Sequence, residues 1–275
     1  MDVLEEKQFG KQLFNSKKLI MEFLGTFALT YVGSWAVIFA DLNALTPNGV
    51  ALAHAVVLTA FIWVGADISG AHFNPALSMT LVVLNRMDAV EGIFYMLSQF
   101  IGGIVGAGFI LIQLSDQMTD AIKDKSIMGV PMPGSSTYEI SGIWGEVFGT
   151  FFLCYIFMAT CIDPNKNKVQ GVGAVAVGFM VYIGAMTLGE LSGGGFNPAR
   201  ALGPAIVGGV VGSNQFMHLV GPFIGAILGG IIYSAVFIDD ELDLAEIERE
   251  KQALLKEEEE RKRLNEERDA SVELQ

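Results

Sequence analysis

Ser192-Gly193-Gly194-Gly195-Phe196-Asn197-Pro198-Ala199 repeats, 123 residues later, the stretch Ser69-Gly70-Ala71-His72-Phe73-Asn74-Pro75-Ala76. Outward from this pair the register persists. Glu22-Phe23-Leu24-Gly25-Thr26-Phe27 recurs as Glu146-Val147-Phe148-Gly149-Thr150-Phe151 at an offset of 124, and Gly102 and Gly106 recur as Gly225 and Gly229 at 123. Three separated matches at nearly one offset identify an internal duplication. Asparagine suits a helix N-cap and proline the first helical position, so each Asn-Pro-Ala box should open a helix. The apolar runs that follow, Pro75–Leu84 and Pro198–Val207, are about ten residues long, roughly 15 Å of helix, or half a bilayer.

Full bilayer spans are present as well. Of the 275 residues 52% are hydrophobic and only 17% charged, a balance that favours a membrane protein. Apolar stretches near Leu19–Ala40, Val50–Ala66, Gly92–Leu114, Ile143–Ile162, Gly171–Leu188 and Phe216–Ile238 approach the roughly 20 residues that a crossing requires. Each copy of the repeat therefore contains three crossings. Because three is odd, the second copy enters from the opposite face and the repeat is inverted. The two half-spans must then dip from opposite sides and bring Asn74 and Asn197 together near the midplane. The expected fold is all-α, six transmembrane helices plus two re-entrant half-helices. Its membrane domain covers residues 17–238, with halves at about 17–114 and 140–238, between a short N-terminal segment (1–16) and a charged tail (239–275).

Charge sets the expected orientation. Lys7, Lys11, Lys17, Lys18, Arg86, Lys166 and Lys168 fall on the side of the N-terminus, and only Lys123 and Lys125 fall opposite, Arg200 aside. This asymmetry places both termini in the cytoplasm. The first 15 residues are polar and lack a cleavage pattern, so the first span is expected to act as an uncleaved insertion signal. The acidic chain, net charge -13, offers no basic stripe to a nucleic acid. Cys154 and Cys161 lie seven apart in one apolar run, roughly 10 Å along a helix and too far to bridge. No nucleophile–base pair, metal-ligand spacing or phosphate loop is visible, so neither an enzyme nor a cofactor is expected.

Two Asn-Pro-Ala boxes in register with Glu-x-x-Gly-Thr repeats resemble the aquaporins of the major intrinsic protein family, over roughly residues 17 to 238. That resemblance implies a passive channel for water and small neutral solutes, assembled as a homotetramer in the lipid. It makes Asn74, Pro75, Ala76, Asn197, Pro198 and Ala199 the pore motifs. Facing helix N-termini carry positive dipole ends, and asparagine amides are donors. Together they disfavour a cation and orient water so that proton relay is interrupted. The competing reading is a pair of purely structural caps.

Arg200 is the only basic residue inside an apolar run, and an intramembrane ion is by default functional. In the family this position forms the outer constriction, and counting from the Asn anchors adds His54, Ala185 and Gly194. With two corners nearly empty, the opening should be wide yet polar, similar to some plant tonoplast intrinsic proteins that pass ammonia or urea with water. His54 packed away from the lumen, and Arg200 held only by loop carbonyls, are the alternatives. Ala201 and Ala205 resemble the water-type pattern rather than that of glycerol facilitators, whereas His218-Leu219 fits neither. By the same resemblance Glu22 and Glu146 support the re-entrant loops, whose buried amides need acceptors, with His72 bracing a loop and Gln99 structural. Asp67 and Glu190 are either loop acceptors or vestibule charges.

The tail holds three i,i+4 pairs, Glu257–Arg261, Glu258–Lys262 and Glu259–Arg263, but no sustained heptads. A solvated charged segment and a short coiled coil recruiting a cytoplasmic partner are both open. Two other functions compete with the channel: a membrane junction or scaffold acting through this tail, and a coupled secondary transporter, since inverted repeats occur there too. A transporter usually needs a coupling carboxylate at the midplane, where this sequence has asparagines and glycines.

Overall fold

The computed structural model describes residues 15–114, 128–164 and 171–238, with Gln252 and Lys256 beyond them. Six helices are long and apolar enough to cross a membrane: α1 (Ser16–Asp41), α2 (Pro47–Ser69), α4 (Ala89–Gln113), α5 (Glu139–Phe157, prolonged by a π-helical turn over Met158–Ile162), α6 (Val172–Ser192) and α8 (Ser213–Phe237). Between them lie two short helices, α3 (Pro75–Val83) and α7 (Pro198–Val207). The described residues contain no strand. The molecule is an all-α, multi-pass membrane protein.

Five of the six long helices begin three or four residues before their apolar run. The first turn of a helix leaves N–H groups without intrahelical partners, and in three of these helices a polar side chain supplies them, whereas α5, which starts after Tyr138, has no side-chain cap. Asn15 accepts from Lys17 N, Thr46 from Gly49 N, and Asp88 from Val90 N and Glu91 N. Hydrophobicity marks the lipid-spanning part, whereas the capped turn is polar and escapes it.

The duplication is visible in how the helices touch. Helix α1 packs on α2 and α4, α5 on α6, and α2 on α6, while α7 packs against α4 and α1. Gly102 and Gly106 of α4 lie on the backbone of α1 at Phe23 and Phe27. Gly225 and Gly229 of α8 lie likewise on α5 at Val147 and Phe151. A Cβ at any of the four would meet a carbonyl, so small residues bring these helix pairs to backbone contact. The polarity is that of a protein solvated by lipid. Leu52, Trp63, Ile101, Phe148 and Phe179 are more than half exposed on the outside, while Glu22, Gln99 and Glu146 are fully buried within.

Phe237–Gln275 forms a contact unit separate from Met1–Val236. Apart from Gln252 and Lys256 the tail from residue 239 onward lies outside the described residues, as do Lys123, Lys125, Lys166 and Lys168.

Candidate functional site

The two boxes begin helices α3 and α7 as their sequence requires. Asn74 Oδ1 accepts from Ala76 N at 3.0 Å, and Asn197 Oδ1 accepts from Ala199 N at 3.0 Å and Arg200 N at 3.2 Å. Pro75 and Pro198 take the first helical position, where no N–H is needed. The residue before each asparagine is a phenylalanine in the left-handed region, φ 48° at Phe73 and 49° at Phe196. That conformation costs about 1–2 kcal/mol for a residue with a Cβ, so something must hold it.

Glu22 and Glu146 do so. Glu22 Oε2 accepts from Phe73 N at 2.7 Å and its Oε1 from His72 N at 3.0 Å and Ser69 Oγ at 2.6 Å. Glu146 Oε2 accepts from Phe196 N at 2.7 Å and its Oε1 from Gly195 N at 2.8 Å. The glycine three residues after each glutamate completes the seat. The Phe73 ring lies against Gly25 and the Phe196 ring against Gly149, where a Cβ would clash. One Glu-x-x-Gly motif thus holds both the backbone and the side chain of its loop. The two phenylalanines escaped sequence reasoning, although their repetition within the octad was the available signal.

The carbonyls of those phenylalanines are the acceptors that join the halves. Asn74 Nδ2 donates to Phe196 O at 2.8 Å, and Asn197 Nδ2 donates to Phe73 O at 2.7 Å. The boxes therefore meet, with one correction to the expectation. Each amide commits one of its two hydrogens to the opposite loop, which leaves one rather than two for the lumen.

All four positions counted from the anchors line the same cavity as Asn74 and Asn197. His54, Ala185, Gly194 and Arg200 are thus brought together with the boxes, His54 on the cavity wall. His54 sits against Gly33 of α1, whose missing Cβ leaves room for the ring. Its Nδ1 lies 2.8 Å from Val50 O, and its Nε2 faces Arg200 Nε at 3.1 Å and Nη2 at 2.8 Å. A carbonyl only accepts and a guanidinium only donates. The imidazole is therefore neutral, protonated on Nδ1, with its Nε2 lone pair occupied by the arginine. Arg200 Nη1 donates to Gly129 O at 2.9 Å. Three of its five N–H groups are bound among the described residues. The cavity volume is about 60 Å³, room for about four to six waters at roughly 10–15 Å³ each.

The remaining expected residues lie around this cavity or apart from it. Gln99 Nε2 donates to Glu22 Oε2 at 2.7 Å and Ser78 Oγ at 2.9 Å, and His72 Nδ1 lies 3.0 Å from that hydroxyl. Glu190 accepts at its backbone carbonyl, from Gly134 N at 2.9 Å and Thr137 Oγ1 at 3.0 Å. Asp67 lines a separate cavity with Trp63, Cys161 and Gly171. The segment from Met128 to Gly134, which supplies the Gly129 carbonyl, carries no motif that would have marked it. Its Met128 and Val130 are buried beside Ile38 and Ile110.

Comparisons with known proteins agree with this architecture. The family model described as major intrinsic protein matches residues 10–233. The chain is 35% identical to Aquaporin TIP2-3 of Arabidopsis thaliana over 231 residues, covering 81% of this chain and 88% of that one. It is 34% identical to Aquaporin TIP2-1 of Zea mays over 232 residues, with the same shares. The X-ray structure of the aquaglyceroporin from Plasmodium falciparum has a similar fold, TM-score 0.71, at 23% identity over 83% of this chain and 99% of that one. A match that runs through both halves of the inverted repeat leaves one reading: the chain belongs to the major intrinsic protein family, the aquaporins, and is a membrane channel rather than an enzyme.

Proposed function

We propose that this channel conducts water together with small neutral solutes such as ammonia, urea, glycerol or hydrogen peroxide, driven only by their gradients. The observation that carries the reading is the single cavity lined by both asparagines, His54, Ala185, Gly194 and Arg200. In it the midpoint offers amide donors between two helix N-termini, and the outer constriction offers the Arg200 guanidinium. Both are electrostatically hostile to a cation and hospitable to a neutral oxygen or nitrogen. Ala185 and Gly194 contribute almost no side chain, so the opening admits solutes wider than water. In this reading the motif residues and the four-membered constriction are the functional site, both termini are cytoplasmic, the unit is a homotetramer of independent pores, and the tail is free to engage a cytoplasmic partner.

Proteoliposomes test it. They should shrink quickly under an osmotic step, with low activation energy and no dependence on an ion gradient. Permeability equal to bare lipid defeats the channel reading, and dependence on a sodium or proton gradient points to coupled transport. Enlarging the constriction residues, Gly194→Cys with Ala185→His, should cut urea and ammonia flux more than water flux. Equal losses would show that the constriction lies elsewhere. Removing residues 239–275 should leave permeability intact.

A further inference from the structure

The repeat is not symmetric where the glutamates find their last partner. In the first half Gln99 of α4 gives Glu22 an amide hydrogen. The position 123 residues later is Pro222, which has no side-chain donor. The partner of Glu146 comes instead from one helical turn earlier, His218 of α8, at the position matching Tyr95. Its Nδ1 lies 3.2 Å from Glu146 Oε1, off the line of a well-formed hydrogen bond. Both side chains are wholly buried. The loop makes room by a matching exchange: the first repeat has His72, and the second has Gly195, where a Cβ would stand 2.7 Å from His218 Nδ1.

The other end of the ring reaches the segment between α4 and α5. His218 Nε2 lies 3.0 Å from Pro131 O; since a carbonyl only accepts, this nitrogen carries a hydrogen. Pro131 belongs to an irregular strap, Met128 to Gly134, that lies against Arg200 and Gly193 of the cavity lining. Two residues before it, Gly129 O holds Arg200 Nη1 at 2.9 Å. The strap is fixed at its far end by Gly134 N on Glu190 O, and its Pro131–Met132 backbone rests on Gly193, which has φ +90° and no room for a Cβ. We propose that His218 is a positioning residue for solute selection: it ties the strap to Glu146 beneath the second re-entrant loop and so sets where the Gly129 carbonyl holds Arg200. The inference rests on the channel reading above. It makes the second partner of Arg200, the Gly129 carbonyl, depend on a side chain of the last helix that lies outside the cavity lining.

The full chain in lipid vesicles provides the test. Its only histidines are His54, His72 and His218, so ¹⁵N solid-state spectra contain three rings. His218 should carry hydrogen on Nε2 and show through-space transfer to the Pro131 carbonyl carbon; a bare Nε2, or no transfer, overturns the proposal in the unsubstituted protein. His218→Leu should change the ratio of urea to water permeability by about threefold or more, and His218→Gln, which keeps a donor, should restore most of it. In an Arg200→Val background the same His218→Leu change should leave the ratio unaltered. A shift of equal size there, or none in the native background, overturns the proposal. If His218→Leu does not fold, His218→Gln and the spectra decide. Failure of the unsubstituted protein to conduct would defeat the channel reading, and the spectra would still test the strap.

Discussion

Asn197 Nδ2 lies 2.7 Å from the carbonyl oxygen of Phe73, a residue 124 positions earlier in the chain, on the other half of the repeat. With its mate from Asn74 to Phe196, this bond makes each half's cap residue the donor for the other half's strained loop. The centre of the channel is thereby one hydrogen-bonded unit rather than two abutting helix ends. A cap oxygen and a crossing amide hydrogen are both used, so no other side chain of this size fits. Aspartate keeps the oxygen and loses the donor, and leucine loses both.

Asn197→Asp should accordingly keep α7 capped but set a carboxylate oxygen against Phe73 O. Leaving that carbonyl without its donor costs about 1–3 kcal/mol, to be read as a lower midpoint of thermal unfolding in detergent. The new negative charge also offsets the two dipole ends. Proton or cation leak in vesicles should rise, and an unchanged leak would remove the midpoint from ion exclusion.

The Glu-x-x-Gly seat predicts a rescue. Gly149→Ala pushes a methyl into the Phe196 ring, and overpacking of this kind costs about 1–3 kcal/mol. Phe196→Leu in the same chain relieves the clash, so the double variant should unfold at a higher temperature than Gly149→Ala alone. The same holds for Gly25→Ala with Phe73→Leu. Additive losses would show that glycine and ring do not share the site.

Glu22→Gln retains one acceptor oxygen where the native side chain receives four donors at its two oxygens. Hydrogen bonds to a charged group contribute about 1.5–3 kcal/mol each, so the variant should lose at least that much stability and yield little folded protein. Gln99→Leu, which removes one of the four donors to Glu22 and the bond to Ser78 Oγ, should fall between it and the native chain in the same thermal assay.

The frame of this molecule was legible because its signals are repeated and local. Asn-Pro announces a helix start twice, and glutamates in apolar runs at a common offset demand a common partner. The rest depended on contacts that leave no local trace. Nothing in Phe73 or Phe196 signals a left-handed backbone, since bulky side chains normally avoid it; only the carboxylate across the bundle makes it tenable. The Met128–Gly134 strap has no periodicity, and its worth lies in two carbonyls, which every residue has. His218 stood out in sequence only as a misfit at its position. Its purpose needed Pro222, Gly195 and Pro131 placed around it.

His54 separates size from hydrogen bonding at the constriction. Its Nε2 takes two of the five guanidinium hydrogens of Arg200, so His54→Ala does two things at once: it widens the opening and releases those donors. Losing the bond to a charged group is worth about 1.5–3 kcal/mol, enough to free the guanidinium from one wall. Urea flux should rise relative to water flux. His54→Gln removes a ring but can return an oxygen to the arginine, so its ratio should stay close to the native one. Stopped-flow light scattering on vesicles reads both fluxes. If alanine and glutamine give the same ratio, width alone sets the cutoff and the histidine acceptor has no part in it.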